Sequence, residues 1–264
     1  MAIDLLPYLL PITYYRAKRY NPMNPTLTTS PEQSPALDWE DIGEPDVSDI
    51  VTEDDTPVDN LISEKQQRLL TTCLYSGLEM DQSFIAMANV GLFYGKDYPP
   101  LVPDALLSFG VELPEDMSQK KNRSYFVWNL GKPPDVAIEI VSNKVGNELG
   151  SKLEDYARAR VPYYAVFDPF HCLSEKTLQV YELRGLSYHL LPHSWMDGIQ
   201  LGLTLWNGVF EDFEYQWLRW CDAEGNLILT GDEKAQEEHQ RAEQERQRAE
   251  RLAQLLREHG IMDE

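Results

Sequence analysis

The stretch from Pro133 to Pro169, PPDVAIEIVSNKVGNELGSKLEDYARARVPYYAVFDP, sets two apolar, strand-length runs on either side of one segment of helical period. DVAIEIVS and YYAVFDP are short and rich in β-branched and aromatic residues, which marks them as strands of a covered sheet. Between them, KVGNELGSKLEDYARARV carries Leu149, Leu153, Tyr156 and Ala157 on one face and is expected to be a helix. One helix between central strands, with further strands before and after, gives an α/β fold.

The first of these strands contains two carboxylates. Side chains alternate along an extended segment, so Asp135, Ala137, Glu139 and Val141 share one face, and Val136, Ile138 and Ile140 share the other. If both faces are covered, Glu139 is a buried charge, and an isolated buried carboxylate is costly unless a cation or an amine neutralises it. A solvated edge is the competing explanation. For Asp135 the alternative is hydrogen bonding to backbone N–H groups at the strand start. Lys152, one helical turn before Tyr156, is either a surface lysine or the amine that Glu139 requires. An earlier segment, LVPDALLSFG, also places a Pro-Asp pair, Pro103 and Asp104, immediately before an apolar strand. With the two strands side by side, Asp104 would lie close to Glu139. Carboxylate oxygens of that kind suit Mg²⁺ or Mn²⁺. Such an ion polarises a phosphodiester and lowers the pKa of an attacking water, while a nearby lysine stabilises charge on phosphate.

Ordered structure is expected to begin near Leu61, where LISEKQQRLLTTCLYSGL has helical spacing and Ser63 is available as a cap. QSFIAMANVGLFYG, LVPDALLSFG and SYFVWNL read as strands. After Phe170 the pattern becomes antiparallel: TLQVYEL, a turn at Gly185, SYHLLP, then LGLTLWNGVFEDF and WLRWCDAEGNLILTG. These signals divide the chain into an acidic, partly extended or disordered arm over residues 1–60, a core over 61–230 with an antiparallel extension, and a charged Ala/Glu/Arg-rich helix over 231–264. In that last segment Ala235, Ala242, Ala249 and Leu256 recur every seven residues, but the partner row is largely polar. A helix partly packed on a second subunit is one reading and a solvated charged helix the other. A homodimer or higher homo-oligomer follows from the first.

The formal charge of −21 excludes the basic footprint of a tight, non-specific nucleic-acid binder. The acid is concentrated at the ends: residues 21–64 hold 12 Asp/Glu and no Lys/Arg, whereas residues 65–190 hold 15 acidic against 13 basic residues. Cys73, Cys172 and Cys221 are far apart and match no metal-ligand spacing, nor do His171, His189 and His193. Sparse cysteines, no run of eighteen apolar residues, and charges that follow rather than precede the first apolar stretch indicate a cytoplasmic protein with no membrane span.

Taken together, P-D before an apolar strand, E-x-x-S, a helix with K-x-x-x-Y, and V-P-x-Y-x-x-x-D-P resemble the Uma2 family of restriction-endonuclease-like, PD-(D/E)xK proteins, a group rich in cyanobacterial members. The likeness runs over about residues 51–260. It implies a mixed sheet flanked by helices and a metal-dependent endonuclease site acting on nucleic acid, DNA favoured. Carried over, Asp104 matches the proline–aspartate residue and Glu139 the acid of the next core strand. The lysine expected two residues after that acid is absent, since Val141 stands there. Lys152 on the following helix looks like its displaced replacement, with Lys144 a weaker candidate. Asp135 and Ser142 are possible accessory residues, and either Glu64 or Gln67 matches an accessory position on the first helix. A scaffold that has lost hydrolysis and serves as an inactive homo-oligomeric or regulatory protein is the alternative.

Overall fold

The structure is a computed structural model, and it describes residues 60–259 except 96–97, 114, 117, 119–121 and 144–146. The expected acidic arm (apart from residue 60), Lys144 and the last five residues lie outside the described residues.

The chain order is α1 (Leu61–Gly77), β1 (Phe84–Ala88), β2 (Leu92–Phe93), β3 (Ala105–Phe109), β4 (Tyr125–Phe126), α2 (Val127–Leu130), β5 (Val136–Ile140), α3 (Ser151–Arg158), β6 (Tyr163–Phe167), β7 (Leu178–Arg184), β8 (Ser187–Leu190), β9 (Trp195–Met196), β10 (Leu201–Phe210), β11 (Phe213–Cys221) and α4 (Gly231–Glu258). Six strands form one sheet in the order β1-β3-β5-β6-β7-β8. Only β5 and β6 pair in parallel within it, joined by α3; the other neighbours are antiparallel. Strands β9, β10 and β11 make a second, antiparallel sheet, and β2 and β4 a short parallel pair. The α/β expectation, with its mixed sheet, flanking helices, antiparallel extension and C-terminal helix, is the architecture found.

The alternation read along β5 separates two cores. Val136, Ile138 and Ile140 join Leu70, Cys73 and Leu74 of α1 and Leu218 and Trp220 of β11 on one face. Ala137 and Val141 join Tyr156, Tyr164, Leu106 and Leu92 on the other. Both faces of β5 are therefore covered, and all five of its residues are buried. α1 is held to β11 by Gln66, whose side-chain amide bonds both the N–H and the C=O of Leu218 (each 2.9 Å) and so acts as one more strand rung. Its last residue, Gly77, lies so close to the backbone of Leu229 that a Cβ would meet the carbonyl oxygen at 2.2 Å.

Three local expectations are corrected. The cap of α1 is Asn60, which accepts from the Ser63 N–H (2.9 Å), rather than Ser63. SYFVWNL is strand only at Tyr125–Phe126 and then turns into a single helical turn. The helix before Tyr163 begins at Ser151, because Asn147 takes a left-handed φ of 57° and breaks the chain's course ahead of it. Among the described residues, no helix is long and apolar enough to cross a membrane.

Candidate active site

The antiparallel register of β3 and β5 ends at Ala105 opposite Ile138, and continued one step further out it would set Asp104 opposite Glu139. Residues opposed in this way lie on one side of a sheet with Cα atoms about 5 Å apart. β3 ends at this point, and the Asp104 side chain takes over from its backbone: Oδ2 accepts from the Ile140 N–H at 2.6 Å. Oδ1 accepts from Gln67 Nε2 at 2.9 Å, and Gln67 Oε1 in turn accepts from Asn89 Nδ2 at 2.8 Å. Two residues 35 positions apart are thus brought together, with α1 bracing one of them.

Glu139 is 3% exposed. Its two oxygens meet two side chains spaced four apart on α3, as the 3.6-residue period allows. Lys152 Nζ lies 3.1 Å from Oε2, and the Tyr156 hydroxyl donates to Oε1 at 2.6 Å. Lys152 also reaches Glu148 Oε1 at 3.2 Å, from the turn that precedes α3. Burial pushes the Glu139 carboxyl above its ordinary pKa; Lys152 and Tyr156 oppose the rise and Glu148 adds to it. Burial works against the charge on Lys152, but Glu139 and Glu148 outweigh it and hold the ammonium above the ordinary lysine value. Tyr156 stacks on Tyr164, with ring centroids 4.8 Å apart, which fixes the face of α3 against β6.

The remaining sequence candidates separate. Gln67 contacts Asp104, whereas Glu64 sits with Arg68 (3.0 Å), which also pairs with Glu211 at the β10–β11 turn. Asp135 shares a face with Glu139 but starts the same strand, four residues or about 13 Å away. There it accepts from the Phe109 N–H (2.7 Å) and from Lys132 Nζ (2.6 Å), the backbone-bonding role open to a strand-start aspartate. Ser142 follows β5 and accepts from Asn143 Nδ2 at 3.3 Å; among the described contacts it has none to Asp104, Glu139 or Lys152. Asp168 ends β6 by accepting from the N–H groups of Cys172 and Leu173 at 2.8 and 2.7 Å, as a strand-to-turn residue does. Glu148 was not among the sequence candidates. Its signal was present as an E-x-x-x-K spacing, but it stood inside what read as continuous helix.

The donor chemistry fits a hard divalent cation. Asp104 and Glu139 offer carboxylate oxygens and no thiolate or imidazole, and Mg²⁺ characteristically takes one or two carboxylates with water and substrate phosphate completing its shell. Among the described residues, no group of three or more His, Cys, Asp or Glu side chains is placed to hold an ion. A two-carboxylate site that relies on phosphate and water is the form these residues allow.

The family model described as "Uma2: Putative restriction endonuclease" matches residues 53–204, a span that contains Gln67, Asp104, Glu139, Glu148 and Lys152. No curated protein matches. Among solved structures, one similar chain is described as a "putative nuclease belonging to DUF820 from Anabaena variabilis ATCC 29413"; the two are 15% identical, the alignment covers 52% of this chain and 71% of that one, and the TM-score is 0.38.

Proposed function

The chain belongs to the Uma2 family, and from that premise we propose that it is a divalent-cation-dependent endonuclease hydrolysing nucleic-acid phosphodiester bonds, DNA favoured, with Asp104, Glu139 and Lys152 as its catalytic residues. The observation that carries this reading is the Asp104 carboxylate bonded to the Ile140 N–H, next to Glu139, together with an ammonium 3.1 Å from the buried carboxylate. Asp104 and Glu139 would hold Mg²⁺ or Mn²⁺. When bound, the cation supplies a polarised phosphate oxygen and a water of lowered pKa. Lys152 places a positive charge where negative charge develops on the phosphate. Gln67 orients the Asp104 carboxylate, and Tyr156 fixes Glu139. A homodimer or higher homo-oligomer would bring two such sites to the two strands of a duplex.

The test is cleavage of plasmid DNA and of single-stranded oligonucleotides with Mg²⁺ or Mn²⁺. Asp104→Asn and Glu139→Gln are each expected to lower the rate by at least about a hundredfold, the scale of losing a preorganised electrostatic group. Cleavage that survives in either variant overturns the mechanism.

One observation favours a second reading, an inactive scaffold with an oligomeric or regulatory role. Both oxygens of Glu139 are already satisfied within the chain by Lys152 and Tyr156, and the whole molecule carries −21. Folded protein that binds neither ion at millimolar concentration, and cleaves nothing in the presence of either, favours the scaffold reading over the nuclease reading.

A further inference from the structure

Glu148 lies outside the pair proposed to hold a cation, yet it is the other end of the lysine clamp. It is 6% exposed, and Lys152 reaches its Oε1 at 3.2 Å, almost as close as Glu139 Oε2 at 3.1 Å. Its second oxygen, Oε2, is buried and has no hydrogen-bond partner among the described residues. A buried carboxylate oxygen without a donor is destabilising, so its retention calls for an explanation. The turn that carries it is fixed, because the Tyr164 hydroxyl donates to the Glu148 carbonyl at 3.0 Å and the Tyr164 ring stacks on Tyr156. The side chain therefore stands at a set place beside the ammonium with one oxygen unused.

Glu139 faces a conflict. The oxygen that accepts from Lys152 belongs to the carboxylate proposed to hold a cation, and an ammonium and a divalent ion repel each other across a shared carboxylate. With Glu139 as its only partner, Lys152 would compete directly with the ion. A second carboxylate resolves this: Lys152 shifts toward Glu148, engages the unused Oε2, and stays within the site while Glu139 turns to the ion.

We propose that Glu148 is a positioning residue of the cation site, a second anchor that holds the Lys152 ammonium so that Glu139 is free to bind a divalent cation. The inference rests on the nuclease reading of the same site. It concerns ion affinity, which is measurable without substrate.

The experiment is isothermal titration of the full chain with Mn²⁺, using the native protein, Glu148→Gln, Glu148→Asp, Lys152→Met, and the double variant Glu148→Gln/Lys152→Met. Glu148→Gln is expected to weaken Mn²⁺ binding by about tenfold, the low end of what losing an outer partner of a metal ligand costs. Glu148→Asp keeps the charge and is expected to stay within about threefold of the native affinity. The double variant removes the competing ammonium along with its anchor, so binding should return to within about threefold of native, a rescue that a merely structural role for Glu148 does not produce. Native affinity in Glu148→Gln overturns the proposal. So does a double variant as weak as Glu148→Gln. Mn²⁺ affinity that Asp104→Asn leaves unchanged overturns the nuclease reading beneath it, so the two failures are told apart.

Discussion

Gln67 is the side chain through which α1 touches the Asp104 carboxylate. It is 4% exposed, donates to Asp104 and accepts from Asn89. Gln67→Ala removes both bonds at a buried place, so chemical denaturation should show a loss of about 1–3 kcal/mol. Without that donor the Asp104 carboxylate is less well oriented, and the Mg²⁺ concentration needed for half-maximal cleavage should rise about tenfold. Gln67→Glu tests the same contact with the opposite charge. It sets a carboxylate against Asp104 and should impair Mg²⁺ activation at neutral pH more than alanine does. An alanine variant with native stability and native Mg²⁺ dependence would show that the contact is incidental. At this scale the sequence revealed residue types but not partners. Period-two alternation put Asp135 and Glu139 on one face, correctly, yet only the pairing of β3 with β5 brings Asp104 to the Ile140 N–H beside Glu139 while Asp135 goes to Lys132. Glu64 and Gln67 are one helical turn apart on α1, and what separates them is which side of the helix the sheet lies on.

Among the elements, apolar runs located the strands well because burial on both faces leaves little polar alternation to confuse them. Helix ends were less legible. The start of α3 depends on one backbone conformation at Asn147, and the cap of α1 on which oxygen reaches the Ser63 N–H. β9, two residues long, carried no period at all. The attachment of α4 was likewise hidden. The helix runs for 28 residues with none of them buried, about 42 Å at 1.5 Å per residue. Its N-terminus is nonetheless fastened. Thr230 and Glu233 form a capping box, and Arg219 of β11, with a side chain 1% exposed, bonds both Glu233 oxygens at 2.9 and 2.7 Å and the Ile228 carbonyl at 2.9 Å. The same guanidinium lies 4.9 Å from the centroid of the Trp206 ring. Nothing in WLRWC distinguishes this arginine from a solvated one. Arg219→Met removes the charge but keeps most of the volume, and it leaves a half-exposed Glu233 that retains its Thr230 bonds. The expected loss is about 3 kcal/mol, at the low end for breaking a buried ion pair. For a chain of this size that lowers the Tm by roughly 6–12 °C in calorimetry. A Tm within about 2 °C of native would mean that the pair contributes nothing beyond its desolvation cost.

For the whole molecule, the buried tyrosines dictate how stability responds to alkali. Tyr125, Tyr156 and Tyr164 are fully buried. Burial pushes the Tyr125 hydroxyl up to about 12, with its Ser108 bond opposing the rise. Tyr156 and Tyr164 stand well above the ordinary tyrosine value, from burial first and then from the negative charge of Glu139. Burial likewise pushes the Cys73 thiol up to about 12. In every case the folded pKa exceeds the unfolded one, so at alkaline pH the folded chain keeps protons that the unfolded chain releases. Stability is then fully present below the unfolded values and falls as pH rises through them, beginning near 9 for the thiol and steepening above 10 for the phenols. Each group contributes a slope of about 1.4 kcal/mol per pH unit. By about pH 11 the three tyrosines alone remove about 4 kcal/mol, close to the total stability of a marginal domain. The net charge of −21 acts in the same direction, since each further ionisation adds to self-repulsion. The expected outcome is a cooperative alkaline unfolding above about pH 10.5, in which a late share of the tyrosinate absorbance, that of the buried rings, rises together with the loss of far-UV ellipticity, with urea midpoints falling before it. A tyrosinate signal that rises smoothly and in full around pH 10 in a chain that stays folded would mean that these hydroxyls face water and that the packing of α3 on β6 is not as described.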